Sequence, residues 1–128
     1  MPAKVVDASA VVALLFNELT REAVLRRLRS VSLHAPALIE FEVASACLKK
    51  IRAAPEERDA LLAALSLLDA LAITIEPINR SEAIALAAQT KLTFYDACYL
   101  WLARALGIEL VTLDATLARA DKAVRGAR

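Results

Sequence analysis

Glycine, cysteine and histidine are scarce in this sequence: two, two and one in 128 residues. So few glycines exclude a turn-dense all-β protein, which depends on the left-handed conformations that glycine supplies. The cysteines, Cys47 and Cys98, sit in apolar helical patterns without C-x-x-C or Cys/His spacing. That excludes a disulfide framework and a thiolate metal site, and leaves free buried thiols in a reducing compartment. With one histidine, no Ser-His or Cys-His nucleophile pair is available. His34 itself lies on a short strand before Ala35-Pro36, where a structural role is expected.

A surplus of either charge is also lacking. Sixteen Lys+Arg against fifteen Asp+Glu leave +1, so any nucleic-acid-binding surface must be a local basic patch. No long apolar run exists either. Residues 8–16 are far too few to span a bilayer, and the segment before Asp7 lacks the basic region and apolar core of a signal peptide. No membrane association and a cytoplasmic location are expected.

What remains is rich in Ala and Leu, with 59% hydrophobic residues, a composition that favours well-formed helices. The length suits one domain, residues 1–128, with a sizeable core. Short β-branched runs alternate with helical patterns. "KVVD", "VSLHAP", "LAITIEP" and "IELVTLD" read as strands. Helices are expected over 8–16, 19–29, from Pro36 to about residue 53, from Pro55 to about Asp69, over 80–90, over 92–106 with Gly107 as cap, and over 115–124. Strands alternating with helices imply right-handed βαβ units and a parallel sheet buried on both faces, an α/β protein in three α/β/α layers.

One aspartate interrupts "KVVDASAVVALLF". Asp7 closes the first strand and Asp114 the fourth, and in parallel sheets ligands bind beyond the carboxyl ends of strands. Asp96 stands in the first turn of the most apolar helix, and Glu42 in the first half of the helix after Pro36. Each has an ordinary explanation: Asp is a preferred helix cap, Thr93-x-x-Asp96 has capping-box spacing, and Glu42 can face water. The combination is harder to explain. Two carboxylates about 5 Å apart repel by roughly 3 kcal/mol at an effective dielectric near 20. Four on one rim call for a cation, and Mg²⁺, a hard ion that accepts carboxylates, waters and phosphate oxygens, suits the donor set.

The segments "VVDASAVVALLFNE", "PALIEFEVASACLKK", "LTFYDACYLWLARALG" and "LVTLDATLARA", in this order, resemble a PIN-domain ribonuclease. The chain is most similar to the VapC-type toxins of bacterial and archaeal toxin–antitoxin systems. The resemblance implies a small α/β/α sandwich and RNA cleavage dependent on Mg²⁺, with Mn²⁺ as substitute. It puts the site acids on Asp7, Glu42, Asp96 and Asp114, as metal ligands and catalytic groups, with Ser9 and Thr112 as supporting hydroxyls. Helical angle does not separate Glu42 from Glu40; the family register chooses Glu42. The resemblance further implies a homodimer and an antitoxin partner whose segment, often with a basic side chain, occupies the acidic rim. One feature departs: relatives often add a final strand where this chain reads "KAVRGAR".

Phosphate contacts have candidates in Arg21, Arg26, Arg27 and Arg29, in Lys49, Lys50 and Arg52, and in Arg119, Lys122, Arg125 and Arg128, though solvated helix faces explain each cluster as well. Phe94, Tyr95, Tyr99 and Trp101 could stack bases, but core packing is expected on so apolar a helix. Rival readings are a non-catalytic module of the same fold, a PIN-type nuclease of RNA processing, and a phospho-accepting signalling domain. The last would need an Asp-Asp pair and a late-strand lysine, which the sequence lacks.

Overall fold

The structure, a computed structural model, describes residues 2–126. Four short strands carry the apolar runs: β1 (Ala3–Val6), β2 (Ser32–Pro36), β3 (Thr74–Glu76) and β4 (Glu109–Val111). All pair in parallel in the order β3-β2-β1-β4, with Val5 opposite His34 and Val6 opposite Val111. Among the described residues seven α-helices flank the sheet: α1 (Ala8–Leu15), α2 (Arg21–Leu28), α3 (Leu38–Ala53), α4 (Arg58–Leu65), α5 (Arg80–Thr90), α6 (Phe94–Leu106) and α7 (Ala115–Gly126).

Chain direction and handedness place the helices. The steps β1→β2→β3 run one way across the sheet and the step to β4 runs back, so right-handed crossovers put α1–α4 on one face and α5–α6 on the other. The packing agrees: α1 touches α2 and α3, whereas α5 packs on α6 and α6 crosses β1, β2 and β4. The central strands are buried, with Val5, Val6 and Ala35 wholly inaccessible, as is Val111 at the end of β4. α6 supplies the widest apolar face, burying Ala97, Cys98, Tyr99, Leu100, Leu102 and Ala103. It ends at Gly107, whose φ of +67° lets its N–H reach the carbonyls of Ala103 and Arg104. Cys47 and Cys98 are free and buried.

The expected elements hold, with four corrections. Pro36 ends β2 rather than opening α3, which starts at Leu38. The single helix expected from Pro55 to Asp69 is a 3₁₀ turn (Pro55–Glu57), α4, and a second 3₁₀ segment (Ser66–Leu71). No residue of this stretch is buried, and the Ser66 hydroxyl donates to the Ala63 carbonyl at 2.6 Å, a local bond that competes with the helical ladder. The third strand is shorter than "LAITIEP": Ala72 is left-handed (φ 51°) and Pro77 lacks an N–H, so only 74–76 can pair. Asp114 does not close β4. The strand ends at Val111, and Asp114 follows on the loop into α7.

Among the described residues β4 is an edge of the sheet. No helix among them is long and apolar enough to cross a membrane.

Candidate active site

Topology brings four helix starts to one edge of the sheet. In a parallel βαβ chain each helix begins beyond the carboxyl end of a strand or returns to that end before the next one. α1 leaves β1, α3 leaves β2 and α7 leaves β4 there, and α6 starts there to run back under the sheet before β4. The positive ends of several helix dipoles therefore face the rim on which the acids stand, and they favour ionised carboxylates.

Asp7 is the centre of this rim. It is 4% exposed, and its N–H continues the ladder to the Val111 carbonyl at 3.2 Å. Its Oδ1 caps α1 by accepting from Ala10 N–H at 3.1 Å and from the Ser9 hydroxyl at 2.7 Å. Its Oδ2 accepts from the Thr112 hydroxyl at 2.5 Å. Both hydroxyls also accept a backbone N–H: Ser9 from Leu113 at 2.8 Å, Thr112 from Asp114 at 3.0 Å. Ser9 and Thr112 thus staple the loop 112–114 to Asp7 and set where Asp114 stands. Asp114 then caps α7, its Oδ1 accepting from Leu117 N–H at 3.0 Å.

Glu42 and Asp96 approach from opposite faces of the sheet. Glu42 is half-buried on α3 and accepts a 2.5 Å hydrogen bond from the hydroxyl of Tyr99 on α6. Tyr99 lies one turn after Asp96, so both occupy the same side of α6. Thr93 is the cap of α6, its hydroxyl accepting from Asp96 N–H at 3.1 Å. The reciprocal bond of a capping box, from Thr93 N–H to the Asp96 carboxylate, is not made among the described residues. Asp96 is not needed to start this helix.

The electrostatics show that the four acids share one field. Burial pushes the Asp7 carboxyl above the usual range against the pull of Thr112, Ser9 and Ala10, and the charge of Asp114 adds to the rise. Burial also raises Glu42, against the Tyr99 bond, with further contributions from Asp96 and Asp7. Asp96 is raised by burial first, then by Asp114 and Asp7. The Tyr99 phenol is pushed well above its ordinary value by burial and by Glu42, so it stays a proton donor. Among the described residues none of the four acids joins an ion pair.

Such a rim fits a hard divalent ion by donor chemistry: all oxygen, all anionic, with no cation in place among the described residues. Among the described residues no three acid, His or Cys side chains close on a common point as a ready ligand set. An ion held there would keep part of its water shell, as Mg²⁺ ordinarily does. Asp7 retains lone pairs on both oxygens for this, since each carboxylate oxygen accepts more than one partner.

The other sequence candidates divide. Glu40 is exposed, which leaves Glu42 as the rim residue of α3. His34 lies in β2 between Glu76 (2.9 Å) and Ser32 (3.2 Å), a structural arrangement. Arg21, Arg27, Lys50 and Arg125 face Glu22, Glu109, Glu18 and Asp121. Arg128 lies outside the described residues. Tyr99 is core as expected, and Phe94 and Trp101 are half-buried, but Tyr95 is 61% exposed. The buried residues of α6 begin at Ala97, and Tyr95 stands in the first turn before them. Two features escaped the sequence reading. Tyr99 as the partner of Glu42 is visible only as its i, i+3 relation to Asp96; Phe41, 74% exposed beside Glu42, gives no periodic signal.

The PIN domain family matches residues 4–123. Ribonuclease VapC3 of Mycobacterium tuberculosis (strain H37Rv) is 38% identical over 117 residues, 91% of this chain and 85% of the relative. Ribonuclease VapC12 of the same strain is 33% identical over 116 residues, 90% and 89%. The crystal structure of PAE2754 from Pyrobaculum aerophilum superposes with a TM-score of 0.74 at 25% identity, covering 93% of this chain and 84% of that one.

Proposed function

Since the chain belongs to the PIN-domain family and has VapC ribonucleases as relatives, we propose that it is a VapC-type endoribonuclease, the toxin of a toxin–antitoxin pair, and that Asp7, Glu42, Asp96 and Asp114 form its active site. The observation that carries this reading is the shared field of four carboxylates from four elements with no ion-pair partner among the described residues.

Asp7, Asp96 and Glu42 would hold Mg²⁺, or Mn²⁺ in its place, directly or through water, and Asp114 would steady a second ion or a water. The chemistry that a bound ion supplies is charge, which polarises the scissile phosphate and acidifies a water for in-line attack. The remaining work falls to the chain. Ser9 and Thr112 orient both oxygens of Asp7 and favour its ionised form. Tyr99 fixes the rotamer of Glu42 by donating its proton. The helix starts of α1, α3, α6 and α7 offset part of the charge that gathers when phosphate enters. His34, between Glu76 and Ser32, takes no part.

The acidic rim also suits a basic side chain from a cognate antitoxin, which would exclude RNA and neutralise the enzyme in the cytoplasm. A homodimer is the expected assembly. A non-catalytic module draws support from the caps made by Asp7 and Asp114, but capping leaves Glu42 and Asp96 without a role. Expression with and without the neighbouring gene product, with mapping of the 5′ ends of cleaved RNA, tests the proposal. New ends should appear only without the partner and should vanish in Asp7→Asn. Ends that persist in that variant would refute the site.

A further inference from the structure

We propose that the groove between the end of α5 and α7 holds the sugar-phosphate backbone of the RNA as it leaves the acidic rim, with Lys91 and Arg119 as its phosphate contacts. This rests on the ribonuclease reading above. Gln89 and Thr90 form one wall, and Ala120, Ala123 and Val124 the other, around an open cavity of about 310 Å³. The groove thus lies between the helix that leads towards Asp96 and the helix that leads away from Asp114. Lys91 follows Thr90 directly and stands five positions before Asp96, where the chain turns from α5 into α6. Arg119 stands five positions after Asp114, in the second turn of α7. Its Nη2 donates to the Thr116 hydroxyl at 3.4 Å, so the guanidinium reaches back along α7 towards the rim.

Charge selects the ligand. Lys91 and Arg119 are exposed, and neither pairs with a carboxylate among the described residues. Among those residues no acid lines the groove, and Asp121 of α7 is buried and turned to Arg125 at 3.2 Å. A phosphodiester backbone matches two such cations. The walls agree: Ala120, Ala123 and Val124 offer no ring on which a base could stack, and their small side chains let a backbone come close to α7. Thr90 donates its hydroxyl proton to the Leu86 carbonyl at 2.7 Å, which leaves its oxygen as an acceptor. A ribose 2′-hydroxyl is the donor that RNA brings. The end of α5 carries a further sign. The left-handed residue after a helix is ordinarily glycine, as Gly107 is after α6. After α5 that residue is Lys91, at φ +63°, where a lysine is less stable than a glycine. A task outside the fold accounts for a cation at that place.

Anisotropy of a fluorescent RNA oligomer, titrated in chelator at several salt concentrations, tests the assignment without cleavage. Lys91→Gly and Arg119→Gln should each weaken binding about three- to tenfold and lower the slope of log affinity against log salt by about 0.7. Lys91→Gly should melt at or above the parent temperature, whereas a structural role for the lysine would lower it. Arg80→Gln removes an exposed, unpaired charge from the opposite end of α5, about 16 Å away, and should bind like the parent. Parent-like affinity and slope in both groove variants would overturn the groove and leave the ribonuclease intact. Equal weakening in Arg80→Gln would also overturn it, reducing the effect to net charge. A parent that cuts RNA in Mg²⁺ with an affinity indifferent to salt would overturn it likewise. So would weaker neutralisation by the neighbouring gene product with RNA affinity unchanged, which assigns the groove to an acidic segment of that partner. A parent that neither binds RNA in chelator nor cuts it in Mg²⁺ would remove the ribonuclease reading together with this one.

Discussion

At the amino end of the strands Glu109 of β4 stands opposite Lys4 of β1 and draws in Arg27 of α2, with oxygens 2.9 Å and 2.8 Å from the two cations. These partners hold its carboxyl below the usual range, the Arg27 bond first and the Lys4 bond next. At the carboxyl end Asp7, Glu42 and Asp96 are raised. The same functional group, on the same sheet, is thus pulled in opposite directions over the length of a short strand. The amino end is complete: charge meets charge within the chain. Among the described residues the carboxyl end lacks its counter-charge, and a fold that tolerates this has left room for something from outside. An acid cluster alone would be weak evidence. Its contrast with a neutralised cluster nearby makes the rim informative.

The sharpest test removes one acid from each end. Asp96→Asn should lower RNA cleavage by about a thousandfold or more, the loss expected when several kcal/mol of charge stabilisation go. Glu109→Gln should leave kcat/KM within about twofold. If both variants cleave like the parent, the two ends are functionally alike and the contrast is only structural.

A smaller effect is expected one layer behind the acids. Thr112→Val keeps the side-chain volume but deletes the hydroxyl that donates to Asp7 Oδ2 and accepts from Asp114 N–H. Loss of such a supporting contact should weaken Mn²⁺ binding about 10- to 100-fold by calorimetry. An unchanged affinity would mean that Asp7 needs no orientation by Thr112.

These same contacts mark what could be read from the sequence. Asp7, Asp96 and Asp114 were legible because strand ends and helix starts are local patterns, and a parallel topology sends them to one edge. Glu42 was legible only through family resemblance, since α3 offers Glu40 at nearly the same height. What separates them is a contact across the molecule, the Tyr99 hydroxyl, which no local period encodes. The exposure of Tyr95 was hidden for a related reason. Tyr95 lies on a helix whose average composition says core, yet burial starts only at Ala97 and leaves the first turn exposed at Tyr95. The broken helix after Pro55 went unseen because an Ala/Leu stretch with no buried residue reads the same whether α or 3₁₀.

The two ends should also respond oppositely to pH. Asp7, Glu42 and Asp96 have folded pKa values above their unfolded ones, so the fold binds protons more tightly than the unfolded chain. Their contribution is full below the unfolded carboxylate values and is lost as pH rises through the folded ones. Glu109 is depressed, so its contribution is present above the unfolded value and is lost as pH falls through the folded one. In chelator the melting temperature should therefore fall by a few degrees as pH climbs from about 5 towards neutrality. Saturating Mg²⁺ should flatten or reverse that slope, because an ion favours the ionised acids. A slope identical with and without Mg²⁺ would argue that no ion meets the rim.

The smallest effect belongs to the amino end itself. The Glu109 side chain is 45% exposed and that of Arg27 41%, so water and salt screen their attraction. Lys4 is less exposed, at 21%, and its ammonium also donates to the Arg27 carbonyl at 2.8 Å, tying β1 to the end of α2. Lys4→Ala should therefore destabilise more than Arg27→Ala, although each should cost less than about 1 kcal/mol in denaturant unfolding. In 1 M salt the Arg27→Ala difference should vanish, whereas part of the Lys4→Ala difference should remain as the lost carbonyl bond. Equal, fully salt-sensitive losses would reduce the cluster to a surface ion pair. It would then be no measure of what a satisfied carboxylate looks like in this fold, and the contrast with the rim would rest on the acids alone.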